Sequence, residues 1–209
     1  LPESKEDFAD ARRRLAWDEL FVNQVAVQAR RLQWRERDAA VSIPLNPAVM
    51  EHFRGLLPFN LTSGQESALS EIVGVLESTV PMARLLQGEV GSGKTVVVLV
   101  ALLAAAAAGY QGAIMVPTEV LAEQHFQTIS RLLAGLARPV QGDNVVTAYL
   151  ASLGRPVSVG LLTGSTHAKA RRELIQMSAE GNLDLLVGTH ALIQSGVEIP
   201  NLALAVMDE

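Results

Sequence analysis

The chain has 209 residues, 49% of them hydrophobic and 19% charged, with a formal net charge of -5 and no cysteine. That length suits one domain, with or without an appendage, at about 100–200 residues per domain, and the apolar share excludes disorder over most of it. The lack of cysteine excludes a disulfide scaffold, a thiol nucleophile and a thiolate metal site, and the acidic balance argues against a module that holds nucleic acid by bulk positive charge.

The first ten residues are acidic and polar, unlike a signal peptide. The chain opens on Leu1 without an initiator methionine, which reads as a piece of a longer protein. Residues 1–40 carry eight Lys/Arg and eight Asp/Glu. Ser4 and Asp7 have capping-box spacing, and Val22, Val25, Ala29 and Leu32 recur at helical steps, so one long helix is predicted here. Arg12, Arg13, Arg14, Arg30, Arg31, Arg35 and Arg37 lie along it. They fit a solvated face, or a linker helix leaning on a neighbouring domain or on nucleic-acid phosphate. From Val41 to Pro58 the pattern breaks at Pro44, Pro47, Gly55 and Pro58. A boundary is therefore drawn between a linker helix and loop (1–54) and a folded domain (55–209).

Thr62–Glu77 is helical again. Short apolar runs then alternate with helical stretches. The runs are Ala83–Gln87, Ala113–Val116, Val157–Leu162, Leu183–Val187 and Leu202–Met207. The helices are Lys94–Ala108, Glu119–Ala134, Ala168–Ala179 and a short one near His190–Gln194. Near-continuous apolar strands between helices predict an α/β domain with a mainly parallel sheet covered on both faces. Gly109 is placed to end the first of these helices. Pro139–Arg155 reads as an insertion with a short helix around Val145–Leu153. The longest apolar run, Val96–Ala108, has 13 residues, short of the roughly 20 that a spanning helix needs, so no membrane partner is expected.

Gly88-Glu89-Val90-Gly91-Ser92-Gly93-Lys94-Thr95 matches the phosphate-binding pattern G-x-x-x-x-G-K-[ST], between a predicted strand and a predicted helix. Gly88, Gly91, Ser92 and Gly93 let backbone N–H groups converge on phosphate oxygens, and the helix N-terminus adds partial positive charge. Lys94 reaches the β- and γ-phosphates, and the Thr95 hydroxyl can hold Mg²⁺. The final run, Leu202–Met207, leads into Asp208-Glu209. In phosphate-loop NTPases the aspartate at such a strand end binds Mg²⁺ and the next glutamate activates the attacking water, whereas acidic pairs also end many other strands. Thr118, Ser165 and Thr189 each follow a predicted strand, where each fits a plain cap of the helix that comes next as well as a ligand contact. That edge of an open parallel sheet is where ligands bind, and neutral donors there can hold a nucleic-acid backbone. Gln65, in Thr62-Ser63-Gly64-Gln65, has two open readings: an adenine-reading amide, or the far end of a capping box.

Taken in order, the Gly88–Thr95 loop, Pro117–His125, Leu162–Ser165, Val187–Gln194 and Met207-Asp208-Glu209 resemble the motifs of superfamily 2 helicases, most closely the RecG family of branch-migrating DNA helicases. Leu15–Leu20 and Leu57–Thr62 are similar to that family's lead into its motor. The resemblance implies a RecA-like lobe that uses ATP and Mg²⁺. Gln65 would read adenine; Gly91, Gly93, Lys94 and Thr95 would hold the triphosphate. Asp208 would bind the metal, Glu209 would serve as base, and Thr118, Ser165 and Thr189 would lie in loops facing branched duplex DNA (forks and Holliday junctions). It also implies a wedge domain and a second motor lobe elsewhere in the polypeptide, and a bacterial cytoplasm as the site of work. Glu89, where an aspartate is common, and the long 139–155 stretch depart from the family pattern. A transcription-repair-coupling translocase and a nucleotide-switched binding module remain as alternatives.

Overall fold

The computed structural model describes residues 5–37, 40–89, 91–136, 140–151, 153–194 and 196–208. Ser4, Val90 and Glu209, which carry sequence expectations, lie outside them. Helix α1 (Lys5–Arg37) matches the expected long helix. Its described side chains are exposed along nearly the whole length, including Phe8, Leu15, Leu20 and Val22. Trp17 and Phe21 stack on its surface with centroids 5.0 Å apart, and Arg14 lies 5.3 Å over the Trp17 ring.

Helix α2 (Pro47–Leu56) has Pro47 in its first turn and is capped by Asn46, whose side chain accepts the Ala48 N–H. Met50 and Phe53 on α2, with Ile43 and Leu45 before it, belong to the main core. The core thus begins near Ile43, and the boundary drawn at 54 falls inside this helix. Helix α3 (Ser63–Leu76) follows within a residue of expectation.

Helix α4 (Lys94–Ala107) opens with three valines, a weak start on propensity alone. That penalty is at most about 0.7 kcal/mol per residue, whereas full burial of a Val or Leu side chain stabilises by about 1.5–3 kcal/mol. Burial wins: Val96, Val97 and every residue from Leu99 to Ala106 are buried. The helix closes with Gly109 at φ 85, with Gly109 N–H donating to Ala106 O and Tyr110 N–H to Ala105 O. This is a Schellman stop, which needs a left-handed residue at that point.

The sheet has the order β2-β3-β4-β5-β1-β6, from β1 (Gln111–Met115), β2 (Val140–Gln141), β3 (Val145–Leu150), β4 (Arg155–Leu162), β5 (Leu185–Gly188) and β6 (Leu202–Met207). Strands β4, β5, β1 and β6 are mutually parallel. Successive side chains point to opposite faces. Val157, Val159, Leu161, Leu185 and Val187 enter the core shared with α4 and α5 (Glu119–Leu136), while Leu162 and Leu186 enter a second core with Leu174 of α6 (Ala168–Ala179). Helices therefore cover both faces.

Two expectations fail. Val145–Leu150 is a strand, not a helix, and pairs antiparallel with β4 from Val145↔Gly160 to Leu150↔Arg155. The good helix formers Ala148 and Leu150 sit at alternating buried positions with Val146, so period-2 burial overrides their propensity. The 139–155 stretch is thereby built around a hairpin edge, with β2 as its outer strand. Residues 81–89, including the expected strand Ala83–Gln87, pair with no strand among the described residues, and Leu85 is 88% exposed. An apolar run becomes a strand only where a neighbouring ladder takes up its backbone groups, and the described sheet ends at β6 instead.

Candidate nucleotide-binding site

The parallel strands finish in register. Leu162 pairs with Gly188, Gly188 with Met115, and Met115 with Met207. The residues that follow them leave the sheet in one row: Thr163–Ser165, Thr189, Val116–Thr118 and Asp208. Helix α4 packs on β1 and β6 and runs back to the start of β1, so its N-terminus, and the Gly88–Thr95 loop before it, lie toward this same edge.

Within the loop, Gly91 and Gly93 take positive φ, 83° and 80°, which only glycine adopts without strain. Gly93 is the N-cap of α4 and has no side chain to cap it, leaving the helix N-terminus to an outside acceptor. A Cβ on Gly88 would meet Ser92 Oγ at 2.5 Å, and one on Gly93 would collide with Gln65 Nε2. Lys94 Nζ donates to Gly88 O at 2.8 Å and Glu89 O at 3.1 Å, and Ser92 N–H donates to Glu89 O at 3.1 Å. Thr95 is the second residue of α4, half-buried. These residues fit a phosphate chain. The helix start carries no capping side chain, and the ammonium is folded back onto the loop it would share with an anion.

Gln65 closes this loop from behind. Its Oε1 accepts the Thr62 N–H at 2.8 Å, its own N–H donates to Thr62 Oγ1 at 3.3 Å, and its Nε2 donates to Ser92 O at 2.7 Å. The capping-box reading of Gln65 therefore holds, and the same amide ties α3 to the phosphate loop.

Asp208 leaves β6 with its N–H donating to Met115 O at 3.0 Å. Its Oδ2 accepts from His125 Nε2 at 2.8 Å. The His125 partnership was not legible in the sequence, since the two lie 83 positions apart; the only signal was that His125 closes the Pro117–His125 run. Glu119 was missed as well: its Oε1 accepts the Ser165 N–H at 3.0 Å and bridges two of the strand-end loops.

The three expected DNA-facing hydroxyls are largely spent inside the protein. Thr118 is exposed, but its Oγ1 accepts the Leu121 N–H at 3.3 Å and caps α5. Ser165 Oγ bonds Thr163 Oγ1 at 3.0 Å. Thr189 is 1% exposed, and its Oγ1 accepts the Ala191 N–H at 3.4 Å at the head of a single 3-10 turn, His190–Ile193. What the Thr189 loop turns outward is His190, Ile193 and Gln194. Gln194 Oε1 accepts from Arg171 Nη2 at 3.1 Å, which brings an α6 cation to that loop.

A family model for DEAD/DEAH box helicases matches residues 62–209. The chain belongs to the DEAD/DEAH box helicase family. As a member of that family it has a RecA-like α/β fold, and it is 37% identical, with a TM-score of 0.78, to a solved structure of RecG bound to a three-way DNA junction, all of this chain covering 26% of that one. It is 43% identical over its full 209 residues to the ATP-dependent DNA helicase RecG of Synechocystis sp., covering 23% of that protein. The RecG of Bacillus subtilis is 42% identical over 208 residues, with 28% of it covered. The chain thus spans about a quarter of the length of the curated relatives it matches. No helix among the described residues is long and apolar enough to cross a membrane.

Proposed function

We propose that this chain is the ATP-binding lobe of a RecG-like DNA helicase, which couples ATP hydrolysis to translocation on duplex DNA, branch migration of Holliday junctions and remodelling of stalled forks. The observation that carries the proposal is the one sheet edge at which Asp208 and three strand-end loops leave the strands and toward which the phosphate loop's helix starts. In an open parallel sheet such a row is the ligand edge. Such an edge can carry nucleotide and nucleic-acid contacts on one support.

The residues divide the work. Gly88, Gly91, Ser92 and Gly93 present backbone N–H groups to the triphosphate. Lys94 exchanges its two loop carbonyls for phosphate oxygens, and Thr95 and Asp208 hold Mg²⁺. When bound, the metal neutralises charge that develops on the transferred phosphoryl group. Glu209 serves as the base for water. Gln65 reads adenine with the amide face that its links to Thr62 and Ser92 leave free. DNA runs along the loops of Thr118, Ser165 and Thr189, met by backbone groups and by the outward side chains beside them rather than by the three hydroxyls. With DNA as partner, the place of work is the nucleoid in the bacterial cytoplasm. A wedge domain and a second motor lobe, outside these residues, complete the machine. In related phosphoryl transfers a catalytic arginine supplied from outside the nucleotide lobe is worth about 10³–10⁵ in rate, so these 209 residues alone turn ATP over negligibly.

The test is strand displacement from a synthetic Holliday junction by the full-length protein. ATP-dependent displacement that Lys94→Ala abolishes is expected. Displacement indifferent to ATP, or none at all, would overturn the proposal.

A further inference from the structure

His125 sits on the second turn of α5, and its side chain is only 12% exposed, against 37% for Asp208. Its Nε2 donates to one carboxylate oxygen of Asp208 at 2.8 Å. The helix that carries it is fixed at its start by two further bonds, Leu121 N–H to Thr118 Oγ1 and Ser165 N–H to Glu119 Oε1. Asp208 is fixed from the other side by its N–H to Met115 O. A carboxylate on a single χ1–χ2 hinge is free to rotate unless one oxygen is pinned. Here one is pinned by a nearly buried donor on a braced helix, so the other oxygen keeps one direction.

We propose that His125 is a positioning residue for Asp208. It holds Oδ2 so that the remaining carboxylate oxygen keeps one direction for the Mg²⁺ that Asp208 would bind. The inference rests on the functional reading above, in which Asp208 serves Mg²⁺. It needs no change of charge on the ring, because an Nε2–H donates whether or not Nδ1 carries a proton. Such partners of metal-binding groups typically cost about 10–100-fold in metal affinity or activity when removed.

The experiment uses the full-length protein, with Mn²⁺ as a spectroscopic probe for Mg²⁺ and a non-hydrolysable ATP analogue. Electron paramagnetic resonance measures free Mn²⁺ during titration. His125→Ala is expected to weaken Mn²⁺ binding in the nucleotide complex by about 10–100-fold and to raise the Mg²⁺ needed for half-maximal ATP hydrolysis in parallel, while nucleotide binding measured in EDTA stays unchanged. His125→Gln, whose amide N–H reaches to about the position of Nε2, is expected to recover most of the loss. Unchanged Mn²⁺ affinity in His125→Ala overturns the assignment. So does a loss in His125→Gln as large as in His125→Ala, which would mark a packing role. Should His125→Ala fail to fold, His125→Gln against His125→Leu carries the same comparison. Wild-type protein that binds no Mn²⁺ with the nucleotide would sink the functional reading itself, and this assignment with it.

Discussion

Lys94 and Asp208 stand toward one edge of the sheet, but they are held by different means. Asp208 continues a paired strand, with its N–H taken by Met115 and its carboxylate by His125. Lys94 follows a loop entered from unpaired backbone, and its ammonium is satisfied by that loop's own carbonyls, Gly88 O and Glu89 O. The loop itself is tied to α3 by Gln65, but the Lys94 ammonium is held by nothing beyond that loop. Rearrangement is therefore cheaper at the lysine than at the aspartate. Moving Asp208 breaks links to β1 and α5, whereas moving Lys94 breaks only two contacts that an anion would replace.

The largest expected effect falls on the loop half. Lys94→Ala should lower the ATP turnover of the full-length protein by about 10²–10³, the scale of losing one charge-stabilising donor, with its thermal midpoint unchanged. A clear fall in that midpoint would show the lysine to be structural and would break the contrast. Asp208→Asn comes next. The amide oxygen can still accept from His125, so the braced geometry persists while the metal-binding charge is gone. Mg²⁺-dependent hydrolysis should drop about 10²-fold, within the range for such losses, with ATP binding in EDTA retained. Loss of binding in EDTA would mean that Asp208 shapes the phosphate cradle and is not confined to the metal.

Smaller effects sharpen the picture of the loop. Gly93→Ala forces a left-handed alanine, a cost of about 1–2 kcal/mol, and drives its Cβ against Gln65. Urea unfolding should register that loss, and nucleotide affinity should fall with it. Gln65→Ala removes one half of a capping box, worth about 1 kcal/mol, and frees Ser92 O. The same variant should lose preference for ATP over other nucleoside triphosphates in competition binding. An unchanged preference would leave Gln65 with its structural role alone.

Much of the fold was legible because burial on both faces leaves a plain mark. The runs that became β1, β4, β5 and β6 are near-continuous apolar segments separated by helical ones, and α6 matched to the residue. Strand β3 was not legible, since Ala148, Leu150, Ala151 and Leu153 read as helix formers until the pairing with β4 is seen. The run Ala83–Gln87 misled in the opposite sense: its composition suits a strand, but strand formation depends on a neighbour that composition cannot supply. The membership of α2 in the core was hidden by the Pro and Gly residues around it, although Phe53 is among the most deeply buried side chains.

The candidate site was legible where chemistry is local. The spacing of Gly88 to Thr95 carries its own meaning, as does an acidic residue ending an apolar strand. Links that cross the sheet edge were not legible, because His125–Asp208 and Glu119–Ser165 join separate segments. Thr189 had two readings open to it, an outward donor or a helix cap, and it is buried as the cap of a short turn.

On the proposed reading, nucleotide and DNA contacts share one row of strand ends. The decisive measurement is ATP hydrolysis by the full-length protein with and without a branched DNA duplex. Hydrolysis should rise with branched DNA and fall by about 10²–10³ in Lys94→Ala. Hydrolysis indifferent to DNA, or undiminished in Lys94→Ala, would sink that reading.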